Sequence, residues 1–214
     1  MNQPLRGLYA IVDEGGGPLI PQGKRLLACG VRTLQLRAKS LDRAALAEAG
    51  AALLPAARAQ GALLIINDDL AVAEQIGADG LHLGQEDGPL GPARARLGPN
   101  ALLGRSTHTL AQAQAALDEG ADYIGFGPIF GTSTKQTGWS PRGLDQLAAV
   151  CAAVPLPVIA IGGIQAVQVP ALQAAGAVGW AVISALSTAK DLSAAVLALD
   201  LPWDREKKIP AQSK

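Results

Sequence analysis

The chain has 214 residues, 49% of them hydrophobic, which suits one large α/β domain with a sizeable core. Lys plus Arg and Asp plus Glu both number 18, and no basic run precedes the mixed segment "DREKK", so nothing points to nucleic acid. No apolar run has transmembrane length, no signal-peptide pattern opens the chain, and the two cysteines, Cys29 and Cys151, fall in helical stretches; a reducing cytoplasm and no membrane are expected.

In chain order, eight short apolar runs have β character: "GLYAIVDE", "TLQLRAK", "LLIIND", "GLHLGQED", "LLGRST", "YIGFGPIF", "PVIAIGG" and "WAVISA". Ala/Leu-rich segments separate them. Leu46, Ala49 and Leu53, and again Leu110, Ala113 and Leu117, recur at i, i+3, i+7 and predict helices with one apolar face. Thr109 followed by Gln112 has the spacing of a capping box. Aromatics make up only 3%, so the core is expected to be aliphatic, with no aromatic stacking surface.

Eight βα repeats predict a single α/β domain, a closed (β/α)8 TIM barrel over residues 1–201, with a doubly wound open sheet as the alternative. Residues 202–214 lack periodicity and are expected to form a loose tail.

Active sites of such barrels lie at the carboxyl ends of the strands. The third run, "LLIINDD", ends there in Asn67, Asp68 and Asp69. The same rim receives Gln35, Arg37 and Lys39 from the second run, and Gln85, Glu86 and Asp87 from the fourth. The fifth contributes Ser106 and His108. The sixth is followed by "GTSTK", the seventh ends in Gly162-Gly163, and the eighth reaches Ser184.

Single residues are ambiguous. Asp69 looks like the N-cap of "LAVAEQIG", His82 reads best as a packed, hydrogen-bonded core histidine, and His108 fits a core or a functional role equally. Gly162-Gly163 fits either a turn or an anion-binding loop. As a set the residues are complementary. Arg37, Lys39 and Lys135 are cations suited to an oligophosphate, while Asp68 and Asp87 are hard oxygen donors of the kind that hold Mg²⁺. The loops "IGGI" and "ISALST" suggest a second phosphate site.

"QLRAK", "IND", "HLGQED", "STHT", "GPIFGTSTK" and "AIGGI" also resemble, in order, six motifs of the thiamine-phosphate synthase (thiamine-phosphate pyrophosphorylase) family, a likeness reaching to about residue 201. The resemblance implies that Gln35, Arg37, Lys39, Asn67, Ser106 and Lys135 bind an aminopyrimidine diphosphate and that Asp68 and Asp87 hold Mg²⁺. It implies that Thr132, Ser133, Thr134, Gly163, Ile183 and Ser184 bind a thiazole phosphate. Arg37, Lys39, Lys135 and Ser106 would then serve catalysis, and a homodimer is expected. Ala38 stands where many members carry an acid, and Gly131 where proline is common. A thiazole tautomerase-like isomerase using His108, and a non-catalytic barrel binding phosphorylated ligands, are the competing expectations.

Overall fold

The computed structural model describes residues 5–131 and 138–200. Along the first strand, β1 (Gly7–Asp13), Leu8, Ala10 and Val12 join one hydrophobic cluster while Tyr9 and Ile11 join another. This is the period of two that a strand imposes. The same division recurs in β3 (Leu63–Asn67), with Leu64 and Ile66 on the outer face and Ile65 inside, and in β7 (Val158–Ile161), with Val158 and Ala160 outside and Ile159 inside. Both faces of each strand are therefore buried, which explains why the runs read as continuously apolar.

With β2 (Thr33–Arg37), β4 (Gly80–Leu83), β5 (Leu102–Thr107), β6 (Tyr123–Phe126) and β8 (Gly179–Val182), these strands form a closed parallel barrel in sequence order. Closure is made by β1 against β8, Gly7 opposite Gly179 and Ala10 opposite Val182. The open doubly wound sheet is thereby excluded.

The helices are α1 (Leu19–Ala28), α2 (Arg43–Ala59), α3 (Leu70–Ile76), α4 (Leu90–Leu97), α5 (Leu110–Asp118), α6 (Gly143–Ala153), α7 (Val169–Ala174), α8 (Ser184–Ser187) and α9 (Leu192–Leu199). Among the described residues none is long and apolar enough to cross a membrane. Leu46, Ala49 and Leu53 of α2 are buried as the spacing predicts. In α5 the expected face holds only in part: Ala113 is buried as predicted, but Leu110 is 47% exposed and Ala116 is buried in addition. Leu110 is the first helical residue, where the side chain has no preceding turn to cover.

The capping box is likewise shifted. Thr109 accepts the Gln112 amide, but the Gln112 side chain reaches past Thr109 to accept the His108 N–H at 2.7 Å. Both cysteines are free, and burial pushes the Cys151 thiol up to about 12, so it stays protonated at neutral pH. The eighth strand ends earlier than "WAVISA" suggests, and Ser184 opens a short helix. The expected tail, 202–214, lies outside the described residues.

Trp180, fully buried on the outer face of β8, donates from Nε1 to the Leu199 carbonyl at 2.8 Å and ties α9 to the barrel. Trp180→Phe removes that donor and leaves unfilled space. A loss of about 1–3 kcal/mol is expected from the unmade hydrogen bond and the smaller ring, read as a lower urea midpoint with an unchanged slope.

Candidate active site

The end of β3 shows how a buried strand delivers charge. Asn67 closes the strand, and Asp68 turns the chain through a left-handed backbone conformation, φ 65°, that few residues other than glycine tolerate. Its N–H donates to the His82 carbonyl at 2.9 Å, which holds the turn. Asp69 then accepts the Val72 amide at 3.0 Å and caps α3 as expected. Three consecutive polar residues thus do three different things.

Gln35, Arg37, Asn67, Ser106, Gly163, Ile183 and Ser184 all line one chamber at the carboxyl end of the barrel. Ile11, Ile159 and Ile161 supply its apolar wall. Thr132, Ser133, Thr134 and Lys135 lie outside the described residues. Gly162 and Gly163 have φ of 104° and 65°, and a Cβ on Gly162 would stand 2.6 Å from Pro128 Cα, while one on Gly163 would strike the Gly131 carbonyl. Glycine is required there by the backbone, and Gly163 also faces the chamber.

Lys39, Asp68 and Asp87 form a charged group just beyond the ends of β2, β3 and β4. Lys39 Nζ pairs with Asp68 Oδ2. Asp87 Oδ2 accepts the Gly84 amide at 2.8 Å, and its pKa is raised above the usual carboxylate value, first by burial and then by the facing Asp68 carboxyl. Among the described residues no group of three or more His, Cys, Asp or Glu side chains is gathered for a metal. Two converging carboxylates nevertheless suit a hard divalent cation that completes its shell with water or ligand phosphate.

Two residues that sequence reasoning passed over hold these loops. Buried Arg105 donates to the carbonyls of Gly84 at 2.6 Å and Gly88 at 2.9 Å and pairs with Glu119 at 2.5 Å, so it braces the loop bearing Asp87. Glu14 accepts the Lys39 amide at 3.0 Å, the Ser40 amide at 3.2 Å and the Ser40 hydroxyl at 2.6 Å, bracing the loop bearing Lys39. The Ser40 hydroxyl is the main cause of its lowered pKa.

The chamber floor is a row of hydrogen bonds. Gln35 Nε2 donates to Tyr9 Oη at 2.9 Å, Tyr9 Oη lies 2.9 Å from Tyr123 Oη, and Tyr123 Oη lies 3.1 Å from His82 Nδ1. His82 Nε2 lies 2.9 Å from Ser106 Oγ. His82 is hydrogen-bonded and buried as its sequence context suggests, yet it also faces the ligand space. The only two tyrosines of the chain both face the chamber, and their rarity within aliphatic strands was the signal available. His108 donates from Nδ1 to the Gly127 carbonyl at 2.6 Å and stacks on Trp139 with centroids 5.0 Å apart. Arg142 lies 4.5 Å from the Trp139 ring centre, so an aromatic stack exists where composition suggested none.

Fold and site together define a (β/α)8-barrel protein with a largely apolar ligand chamber, bordered by cations and carboxylates, at the carboxyl ends of its strands. A family model described as thiamine monophosphate synthase matches residues 8–186, and the chain belongs to that family. It is 44% identical over 200 residues to the thiamine-phosphate synthase of Anaeromyxobacter dehalogenans, covering 94% of this chain and 89% of the relative. It is 43% identical over 195 residues to that of Moorella thermoacetica, covering 90% and 93%. Among solved structures, the thiamine phosphate pyrophosphorylase of Pyrococcus furiosus superposes with a TM-score of 0.82 at 34% identity, covering 90% of this chain and 93% of that one.

Arg105→Met keeps the length of the side chain but leaves the Gly84 and Gly88 carbonyls without their donor. The expected cost is about 1–3 kcal/mol, with faster amide exchange confined to residues 84–88 and α4; unchanged exchange there would remove Arg105 from the support of Asp87. For Glu14 the sign follows from its depressed pKa. Protection of the Lys39 and Ser40 amides is complete above the ordinary carboxylate pKa and is lost as pH falls through the lower folded value. In Glu14→Ala the same two amides are expected to exchange fast at every pH.

Proposed function

We propose that this chain is a thiamine-phosphate synthase, an enzyme of thiamine biosynthesis. In this reading it joins 4-amino-2-methyl-5-hydroxymethylpyrimidine diphosphate to thiazole phosphate, giving thiamine phosphate and pyrophosphate. The observation that carries the reading is the single chamber that gathers Gln35, Arg37, Asn67 and Ser106 with Gly163, Ile183 and Ser184, beside the Asp68 and Asp87 pair, in a chain of this family.

Gln35, Asn67 and Ser106 hold the pyrimidine, and Arg37, Lys39 and Lys135 hold its diphosphate. Thr132, Ser133, Thr134, Gly163, Ile183 and Ser184 take the thiazole phosphate. The methylene C–O bond breaks, its electron pair leaves with pyrophosphate, and the lone pair of the thiazole nitrogen forms the new C–N bond. No protein nucleophile is required. Arg37 offers a planar fork for phosphate oxygens, and Lys39 and Lys135 are point charges, so together they stabilise the charge that grows on the leaving group. The isoleucine wall limits water, which would otherwise capture the cationic methylene. Mg²⁺ held by Asp68 and Asp87 would supply further neutralisation of the diphosphate. Two facing carboxylates, with the Asp87 pKa raised first by burial and then by Asp68, support that assignment. A homodimer rests on the family resemblance, and a cytoplasmic setting on the two free cysteines.

Pyrophosphate release by the purified protein is expected only when pyrimidine diphosphate, thiazole phosphate and Mg²⁺ are all present. Release without thiazole phosphate, or none at all, would refute the synthase reading. Asp68→Ala and Asp87→Ala are expected to lower Mg²⁺-dependent turnover on the order of 10²–10³-fold, as removal of one preorganised charge stabiliser does, while the fold persists. Wild-type turnover in both, or turnover insensitive to a chelator, would overturn the metal assignment.

A further inference from the structure

The five residues of the chamber floor sit on five different strands: Gln35 on β2, Tyr9 on β1, Tyr123 on β6, His82 on β4 and Ser106 on β5. Each hydroxyl owns one proton, and that constraint links all four hydrogen bonds. Gln35 Nε2 gives a proton to Tyr9 Oη, so the proton of Tyr9 is directed to its other partner, Tyr123 Oη. Tyr123 then accepts from Tyr9, and its own proton goes to His82 Nδ1. With Nδ1 accepting, the ring proton of neutral His82 sits on Nε2 and is donated to Ser106 Oγ. Burial holds both phenols well above their ordinary pKa, so each keeps its single proton.

The backbone makes room for this row. His82, Gly104 and Tyr123 occupy one level on three adjacent strands. A Cβ on Gly104 would stand 2.5 Å from Tyr123 Oη and closer still to His82 Nδ1. Only glycine lets side chains two strands apart meet there.

We propose that this chain of hydrogen bonds has one direction, from Gln35 to Ser106, and that Tyr9 and Tyr123 are positioning residues that set what the chamber offers a ligand. Ser106 Oγ, already accepting from His82, presents its proton to the chamber as a donor. Gln35, whose amide nitrogen is engaged with Tyr9, presents Oε1 as an acceptor. The chamber therefore selects a flat heterocycle carrying a donor on its β2 side and a hydrogen-bond acceptor on its β5 side. An aminopyrimidine, with an exocyclic amine beside a ring nitrogen, has that pattern, and this last step rests on the synthase reading. Rotating the Gln35 amide by half a turn would reverse every bond in the row, move the His82 proton to Nδ1 and invert the ligand preference.

The tautomer of His82 reads the direction without any ligand. The chain contains two histidines, so ¹⁵N-histidine labelling of the full-length protein gives two ring systems, assigned with His108→Gln. At neutral pH, His82 is expected to carry its proton on Nε2, and His108, which donates from Nδ1 to Gly127, on Nδ1. A His82 proton on Nδ1, or rapid averaging between the two nitrogens, would overturn the proposal, whether or not the wild-type protein forms thiamine phosphate. In Tyr9→Phe the link to Gln35 is cut and nothing forces Tyr123 to donate, so the His82 tautomer is expected to average between the two nitrogens, and a tautomer unchanged there would deny Tyr9 its positioning role. In Tyr123→Phe the tautomer is also expected to average, and KM for the pyrimidine diphosphate to rise about tenfold with kcat within about twofold, the scale of one lost hydrogen bond. An unchanged tautomer and KM in Tyr123→Phe would deny that residue its positioning role.

Discussion

Closing eight parallel strands into a barrel leaves one narrow interior, and every inward-facing polar group must find its partner inside it. A buried hydroxyl or amide left unpaired costs about 1–3 kcal/mol, a large share of the stability of a domain. Gln35, Tyr9, Tyr123, His82 and Ser106 meet that demand among themselves, with four contacts between 2.9 and 3.1 Å. Below them Leu5 and Ile65 continue the inner apolar cluster to which the Tyr9 and Tyr123 rings also belong; above them the barrel is open to ligand. The polar row is thus the floor of the site and the top of the inner core at once.

Outside that floor the site is assembled from loops, and loops are ordered only if something holds them. Arg105 and Glu14 do this from opposite signs of charge: a guanidinium collects carbonyls of the β4 loop, and a carboxylate collects amides of the β2 loop. Each leaves a residue of the other sign, Asp87 and Lys39, directed to the rim. Asp68 completes the group from a left-handed backbone whose strain is on the order of 1 kcal/mol. Its N–H bond to the His82 carbonyl couples that turn to the strand carrying the floor histidine.

How much of this was legible in the sequence depends on the range of the interaction. The strands and the barrel were readable because short apolar runs separated by helical segments are local features, and "IINDD" identified its own strand end. Gln35, Arg37, Asn67, Ser106, Gly163 and Ser184 were readable as rim residues and Ile183 through the family resemblance, and the structure brings them into one chamber. Tyr9 and Tyr123 were not, because they are 114 positions apart and their meeting depends on the register of strands that are not neighbours. Arg105 was hidden for a related reason: two of its partners, Gly84 and Gly88, offer only backbone carbonyls, which no side-chain pattern announces, and the third, Glu119, lies 14 positions away. The expected α5 face failed at Leu110 because a helical period says which residues share a side, not where the sheet beneath them ends.

The inward glycines decide which side chains can share a level. Three levels of the barrel have the same plan, a larger residue on one strand, glycine on the next and a larger residue on the one after: Ile65, Gly80 and Leu102; His82, Gly104 and Tyr123; Ser106, Gly125 and Ile159. A Cβ on Gly80 would lie 2.8 Å from Ile65 Cδ1, and one on Gly125 would lie 3.4 Å from His82 Cε1. Layers in such barrels are filled from alternate strands because the interior has no room for all eight. Here that packing rule carries function upward through the barrel. At the lowest of these levels glycine admits two aliphatic side chains, at the middle it admits the tyrosine–histidine contact, and at the top it leaves Ser106 facing open space. The step from core to site is made within a single strand, β5, where Leu102, Gly104 and Ser106 point inward in turn.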